Sequence, residues 1–246
     1  MPSIDLKDQY FGCEIEMTGL TRQQAAEAVA SLFGTNAVHS RSSRTYDPWE
    51  VTDNEGKTWR FVYDSSIHGS HRTGRQQVPI GDGDYKVEMN SPKLEYSEMG
   101  KLQEVVRTLR HAGAVVNGSC GMHVHVDASK HTPQSLKNAL SIMYSKEDIL
   151  FKALNVNESR VERWCQKVRE PMLEKIRKLP SNTTMDRLRR EWYEGCLLYT
   201  SLPRLKFQAG CGMHVHVDAS KHTPQSLKNA LSIMYSNCLL YTSRCV

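Results

Sequence analysis

Cys120-Gly121-Met122-His123-Val124-His125-Val126-Asp127 alternates in polarity. On a strand, side chains two apart share a face and stand about 6.5–7 Å from each other. Val124 and Val126 therefore point one way, and His123, His125 and Asp127 point the other. One face is apolar, and the other carries two imidazoles and a carboxylate, a wall suited to a metal or phosphate site. A half-exposed strand with a wet polar face would alternate in the same way. His-x-His-x-Asp entered through Cys-Gly tips the reading toward chemistry.

Upstream, Tyr10–Met17 reads as a strand with Phe11, Cys13, Ile15 and Met17 in its apolar row and Glu14 and Glu16 on the opposite face. Two neighbouring carboxylates repel unless a cation or solvent lies between them. Thr21 is a good N-cap for a helix over Arg22–Phe33, and Gly34 ends it. Ala37–Ser43 reads as irregular. Thr45–Thr52 and Thr58–Asp64 read as paired strands joined by the turn Asp53-Asn54-Glu55-Gly56, with Trp59, Phe61 and Tyr63 on one side and Arg60, Val62 and Asp64 on the other. His68–Asp84, rich in Gly, His, Arg and Gln, reads as a mobile loop, either an ordinary surface segment or one whose Arg72 and Arg75 meet phosphates.

Tyr85–Asn90 is a further short strand with Glu88 in its middle, and an acid in such a strand needs a partner. Helices are expected over Ser97–Ala112, from Pro133 to about Leu154, from Ser159 through Arg160, Trp164, Val168 and Met172 to a break at Pro180, and over Thr184–Glu194. Strands separated by helices point to an α+β fold, an antiparallel sheet with helices packed on one face. The acidic and imidazole rows then line its open face. Glu14, Glu16, Glu88 and His123 can converge there, and a carboxylate-rich set with one or two imidazoles suits Mg²⁺ or Mn²⁺, with nucleotide phosphates completing the shell.

The chain has 246 residues and a formal net charge of +5, a mild excess that gathers in Arg160–Arg190 among interspersed glutamates. A solvated helix face explains that pattern better than a nucleic-acid surface. Met1–Tyr10 has no apolar core of a signal peptide, and no run has the length of a membrane span, so a cytoplasmic protein is expected. Seven cysteines are present, without a paired Cys-x-x-Cys, and four of them (Cys196, Cys211, Cys238 and Cys245) lie in the last fifty-odd residues.

That tail is unusual. Cys120–Ser145 recurs letter for letter as Cys211–Ser236, and Cys-Leu-Leu-Tyr-Thr-Ser occurs at both Cys196–Ser201 and Cys238–Ser243. Structural repeats drift at surface positions; here Lys130, His131 and Gln134 return unchanged as Lys221, His222 and Gln225. The hexapeptide resembles the translation of a transposon end used in DNA library preparation. The expectation is a catalytic domain over 1–195 and an artefactual tail over 196–246, to be excluded from fold reasoning. His214 and His216 are not expected to form a second site, because no Glu-bearing strands flank them.

Four stretches together resemble a known family: Phe11–Met17, Trp59–Asp64 with Ser65-Ser66, Val87–Pro92, and Cys120–Asp127. They are similar to the amidoligases, which belong with glutamine synthetase and glutamate–cysteine ligase in the carboxylate–amine ligase superfamily. The resemblance implies a glutamine-synthetase-like catalytic sheet and ATP-dependent amide formation, in which a carboxylate is phosphorylated and an amine displaces the phosphate. It implies Glu14, Glu16, Glu88 and His123 as ligands of Mg²⁺ or Mn²⁺, and His125 against ATP phosphate. It further implies Asp64 as the residue orienting the amine, and Arg160 on a phosphate or substrate carboxylate. The substrates would be amino-acid or peptide-like amines and carboxylates. The family's closing strand with a Glu-x-Arg-type pair has no counterpart here, so the sheet is expected to be incomplete at its C-terminal end and turnover impaired. Two other classes stay open. One is a metal-dependent hydrolase using His123, His125 and Asp127; the other is a non-enzymatic nucleic-acid module built on Arg160–Arg190.

Overall fold

The computed structural model describes residues 6–74, 76–153, 156, 158, 167–197 and 217–218. The fold is α+β, with an antiparallel main sheet and, among the described residues, five α-helices. The chain divides into two compact units, one running Tyr10–Val126 and taking in Val217–Asp218, the other holding the helices that follow Asp127.

In the first unit the strands are β1 (Tyr10–Met17), β2 (Ala37–His39), β3 (Trp49–Thr52), β4 (Thr58–Tyr63), β5 (Ser70–Thr73), β6 (Gln76–Pro79), β7 (Val87–Asn90), β8 (Leu94–Glu95), β9 (Gly121–Val126) and β10 (Val217–Asp218). The main sheet runs β10-β9-β1-β7-β4-β3-β2, with β8 also on β1. β1 sits centrally because its alternation is cleanest: Phe11, Cys13, Ile15 and Met17 are all buried. Their cross-strand partners continue that layer: Met89 and Val87 on β7, Met122 and Val124 on β9, Phe61 on β4. Helices α1 (Arg22–Phe33) and α2 (Met99–Ala112) supply Ala25, Ala26, Val29, Leu102, Val105 and Leu109 to the same core. Trp59, Phe11 and Phe61 are among its largest fully buried side chains, and burying a side chain of Phe size contributes roughly 1.5–3 kcal/mol.

Local signals set the ends of α1. The Thr21 hydroxyl accepts from the Gln24 N–H, and the Gln24 side chain returns the bond to the Thr21 N–H, a closed capping box. Gly34 ends the helix in the left-handed region at φ 66°. Gly19, at φ 92°, turns the chain between β1 and α1; a Cβ there would lie 2.6 Å from the Gly113 carbonyl oxygen, a contact only glycine avoids.

The second unit holds α3 (Pro133–Ala153), α4 (Glu170–Arg177) and α5 (Met185–Leu197). Leu140, Met172, Leu173, Ile176, Leu179 and Leu188 form its core. Two polar groups buried beside it are satisfied: the Lys137 ammonium donates to the Leu179 carbonyl at 2.7 Å, and the Glu147 carboxylate accepts the Val168 N–H at 2.8 Å.

Several expected elements change. The loop expected over His68–Asp84 contains the hairpin β5–β6, clasped by Thr18, whose hydroxyl donates to the Ser70 carbonyl at 2.8 Å and accepts the Ser70 N–H at 2.7 Å. Ala37–His39, expected irregular, pairs with β3. The strand expected from Tyr85 starts at Val87, since Gly83–Tyr85 forms a 3₁₀ turn. Of the helix expected from Ser159, Ser159, Arg160 and Trp164 lie outside the described residues. Val168 precedes α4, which starts at Glu170 with proline in its first turn. Pro171 is tolerated there because first-turn N–H groups have no helical acceptor, whereas mid-helix it costs about 3 kcal/mol.

Candidate functional site

The site is the face of the main sheet turned away from α1 and α2, where the register across strands does what no single strand can. One row reads His123 (β9), Glu14 (β1), Asn90 (β7), Arg60 (β4), Glu50 (β3). The adjacent row carries Glu16, Glu88 and Val62. Glu14, Glu16, Glu88 and His123, expected to converge, stand together on this face. Asp64 follows the last residue of β4 on the same side as Val62, and His125 lies opposite Gly12.

Two groups of three form. Glu14, His123 and His125 can each place one ligand atom within 4.8 Å of the others, and so can Glu16, Asp64 and Glu88. Glu14 spans the first: His123 Nδ1 lies 2.8 Å from its Oε2, and His125 Nε2 lies 3.1 Å from its Oε1. In the second, the Gly121 N–H donates to Glu16 Oε2 at 2.6 Å and the Asn90 amide donates to Glu88 Oε1 at 3.0 Å. The Asp64 carboxylate accepts the Ser66 N–H at 2.7 Å.

The charges are uneven. Burial works against the Glu14 carboxylate, but hydrogen bonds and charge from His123 and His125 outweigh it and hold the carboxyl well below its ordinary range. Burial likewise disfavours a charged His123, yet its bond to Glu14 and the fields of Glu16 and Glu88 raise its pKa. Glu88 goes the other way. Burial, then the charges of Glu14, Asp64 and Glu16, push its carboxyl up to about 7 against the opposing Asn90 bond. A divalent cation would relieve this accumulation of carboxylates. The donor sets fit one: the all-carboxylate group suits a hard ion such as Mg²⁺ or Mn²⁺, and the two-imidazole group suits first-row ions more generally.

Arg160, expected near a phosphate or carboxylate, lies outside the described residues. Asp127 belongs to neither group; its carboxylate accepts the Ser129 N–H at 2.9 Å. Sequence reasoning missed the Gly121 N–H and Asn90, which orient Glu16 and Glu88. Asn90 had a signal, being in the same polar row of β7 as Glu88. Ser91 had none. Its hydroxyl accepts the Cys13 N–H and its own N–H donates to the Cys13 carbonyl, both at 2.8 Å, tying the end of β7 to β1.

A family described as "Putative amidoligase enzyme" matches residues 7–197. The chain belongs to this amidoligase family. The matched span contains all six side chains of the two groups. No curated protein and no solved structure matches the chain. The amidoligase match places the chain among ligase-type enzymes, and no helix among its described residues is long and apolar enough to cross a membrane.

Proposed function

We propose that the chain is an ATP- and divalent-metal-dependent amide ligase that joins a carboxylate to an amine through an acyl phosphate. The observation carrying this reading is the convergence, from three neighbouring strands and the end of β4, of four carboxylates and two imidazoles on one face of an amidoligase sheet.

Glu16 and Glu88 would hold one Mg²⁺ or Mn²⁺, and Glu14 and His123 another, with His125 serving either that ion or an ATP phosphate. Bound there, the ions offset negative charge on the transferring phosphoryl group. The chain's own residues do the rest. The Gly121 N–H fixes the Glu16 carboxylate, and the Asn90 amide fixes Glu88, so both acids are aimed before substrate arrives. Glu14 holds both imidazoles in place. In the reaction, a carboxylate oxygen of the acid substrate bonds to the γ-phosphorus as the bond to ADP breaks. The amine nitrogen then bonds to the acyl carbon as phosphate leaves, and Asp64 is the carboxylate we assign to orienting the amine and accepting its proton.

The discriminating measurement is metal binding with and without nucleotide. The ligase reading expects weak Mg²⁺ binding that ATP strengthens. Stoichiometric zinc that binds without nucleotide and is indifferent to ATP would replace it with a hydrolase.

A further inference from the structure

The row through Glu14 does not stop at the metal-ligand candidates. Beyond Asn90 it meets Arg60, which among the described residues is the only lysine or arginine that a strand of the main sheet presents on this face. Neighbouring strands lie about 4.8 Å apart, so Arg60 stands about 10 Å from Glu14 along the row. Between them the floor is Asn90, with Val62 beside it in the next row. Arg60 Nε donates to Glu50 Oε1 at 2.9 Å, a contact that leaves the two Nη groups for another acceptor. The Arg60 side chain is 59 % exposed, so a solute reaches it without any rearrangement.

A cross-strand ion pair this exposed adds little to stability. Its chemistry suits recognition better. Guanidinium is the side chain that best matches a carboxylate's geometry, and here it is carried on a strand and steadied by an acid from the next one. Around the metal candidates stand Glu14, Glu16, Glu88, Asp64, His123 and His125, and Lys86, two residues before Glu88, turns its ammonium to the Ser65 carbonyl at 3.3 Å. An acid substrate whose reacting carboxylate lies at the metals would project its remaining chain over Val62 and Asn90 toward Arg60.

We propose that Arg60 binds a second carboxylate of the acid substrate, which makes that substrate a dicarboxylate or an acidic amino acid or peptide end. The inference rests on the ligase reading for the placement of the first carboxylate.

The test is calorimetric titration of the full chain, loaded with Mn²⁺, with malonate, succinate, glutarate and adipate, and with butyrate as the one-carboxylate control. Tighter binding of at least one dicarboxylate than of butyrate, by tenfold or more, is expected. Arg60→Ala should bring that ratio close to one, Arg60→Lys should keep part of it, and Glu50→Gln, which leaves the guanidinium in place, should keep it. A wild-type chain with no preference for two carboxylates overturns the proposal, as does a preference that survives Arg60→Ala. The outcome separates from that of the ligase reading. An Arg60-dependent preference without ATP-strengthened Mg²⁺ binding leaves this site standing and removes the ligase. The reverse pattern removes Arg60 alone.

Discussion

Glu88 offers the sharpest physical test of the site, because its environment penalises its own charge. Its carboxyl moves from an ordinary 4.5 to about 7, by burial first and by the charges of Glu14, Asp64 and Glu16 after it. Each pH unit of such a shift corresponds to about 1.4 kcal/mol, so the ionised form destabilises the metal-free fold by roughly 3 kcal/mol. For a carboxyl raised on folding, the folded state holds the proton longer than the unfolded state. Stability is therefore lost as pH rises from about 4.5 to about 7 and stays lost above. Glu88→Gln removes the charge while keeping an oxygen for the Asn90 amide. In chelator-treated protein at pH 8 the variant should be the more stable by about 2–4 kcal/mol, and at pH 4.5 the two should coincide. A shift of 1 kcal/mol moves the midpoint by about 2–4 °C in a chain of this length, so thermal melts at several pH values resolve the difference. His123, raised chiefly by Glu14, adds its own loss of stability above about pH 6.5 in both proteins, a smaller loss in the variant, where the Glu88 charge that helps to raise it is gone. Mg²⁺ should raise the wild-type midpoint at pH 8 by more than it raises the variant's, which keeps only the Glu14 and His123 group whole. A variant less stable than wild type at pH 8, or a difference that does not change with pH, would refute the reasoning that four acids, one buried and three half-buried, crowd one face.

Glu14→Gln should abolish ATP-strengthened Mg²⁺ binding, since it removes the carboxylate that holds both His123 and His125, while His123→Ala should weaken it tenfold or more; equilibrium dialysis reads both. Gly19→Ala should cost more than about 2 kcal/mol in denaturant melts, because the added Cβ meets the Gly113 carbonyl oxygen at 2.6 Å in a backbone conformation that alanine resists; a change below about 0.5 kcal/mol would show that the turn relaxes freely. His214→Ala with His216→Ala, in the second copy of the histidine stretch, should leave metal stoichiometry unchanged by dialysis, and a lost equivalent would mean that the second copy supplies ligands.

Elements whose causes are local were legible. The bounds of β1 and α1 follow from an alternating row, a Thr21 cap and a Gly34 stop, and all three interactions close within a few residues. Strong periodicity did the same for α2 and α3. The β5–β6 hairpin was not legible, because its strands are polar and its clasp joins Thr18 to Ser70 across 52 positions. The helix expected to run on through Val168 and Met172 is interrupted at 167–169, and Pro171 stands in the first turn of α4; its expected start at Ser159 lies outside the described residues.

For the site, the residues of each strand already showed which side chains share a face, since period-two geometry depends on nothing beyond the strand itself. Glu14 with Glu16, and His123 with His125, are pairs of that kind; Glu88 stood out as an acid in the middle of a short strand, and the family resemblance gave Asp64 its role. The text of the chain could not order the strands. Pairing β1 between β9 and β7 is a choice of the packed core, where Ile15 meets Met122 on one side and Met89 on the other. That choice alone sets Glu14 against two imidazoles and Glu16 against Glu88, and it places Arg60 two strands away from Glu14. Side-chain chemistry is written locally; which charges become neighbours is determined by burial of the opposite face.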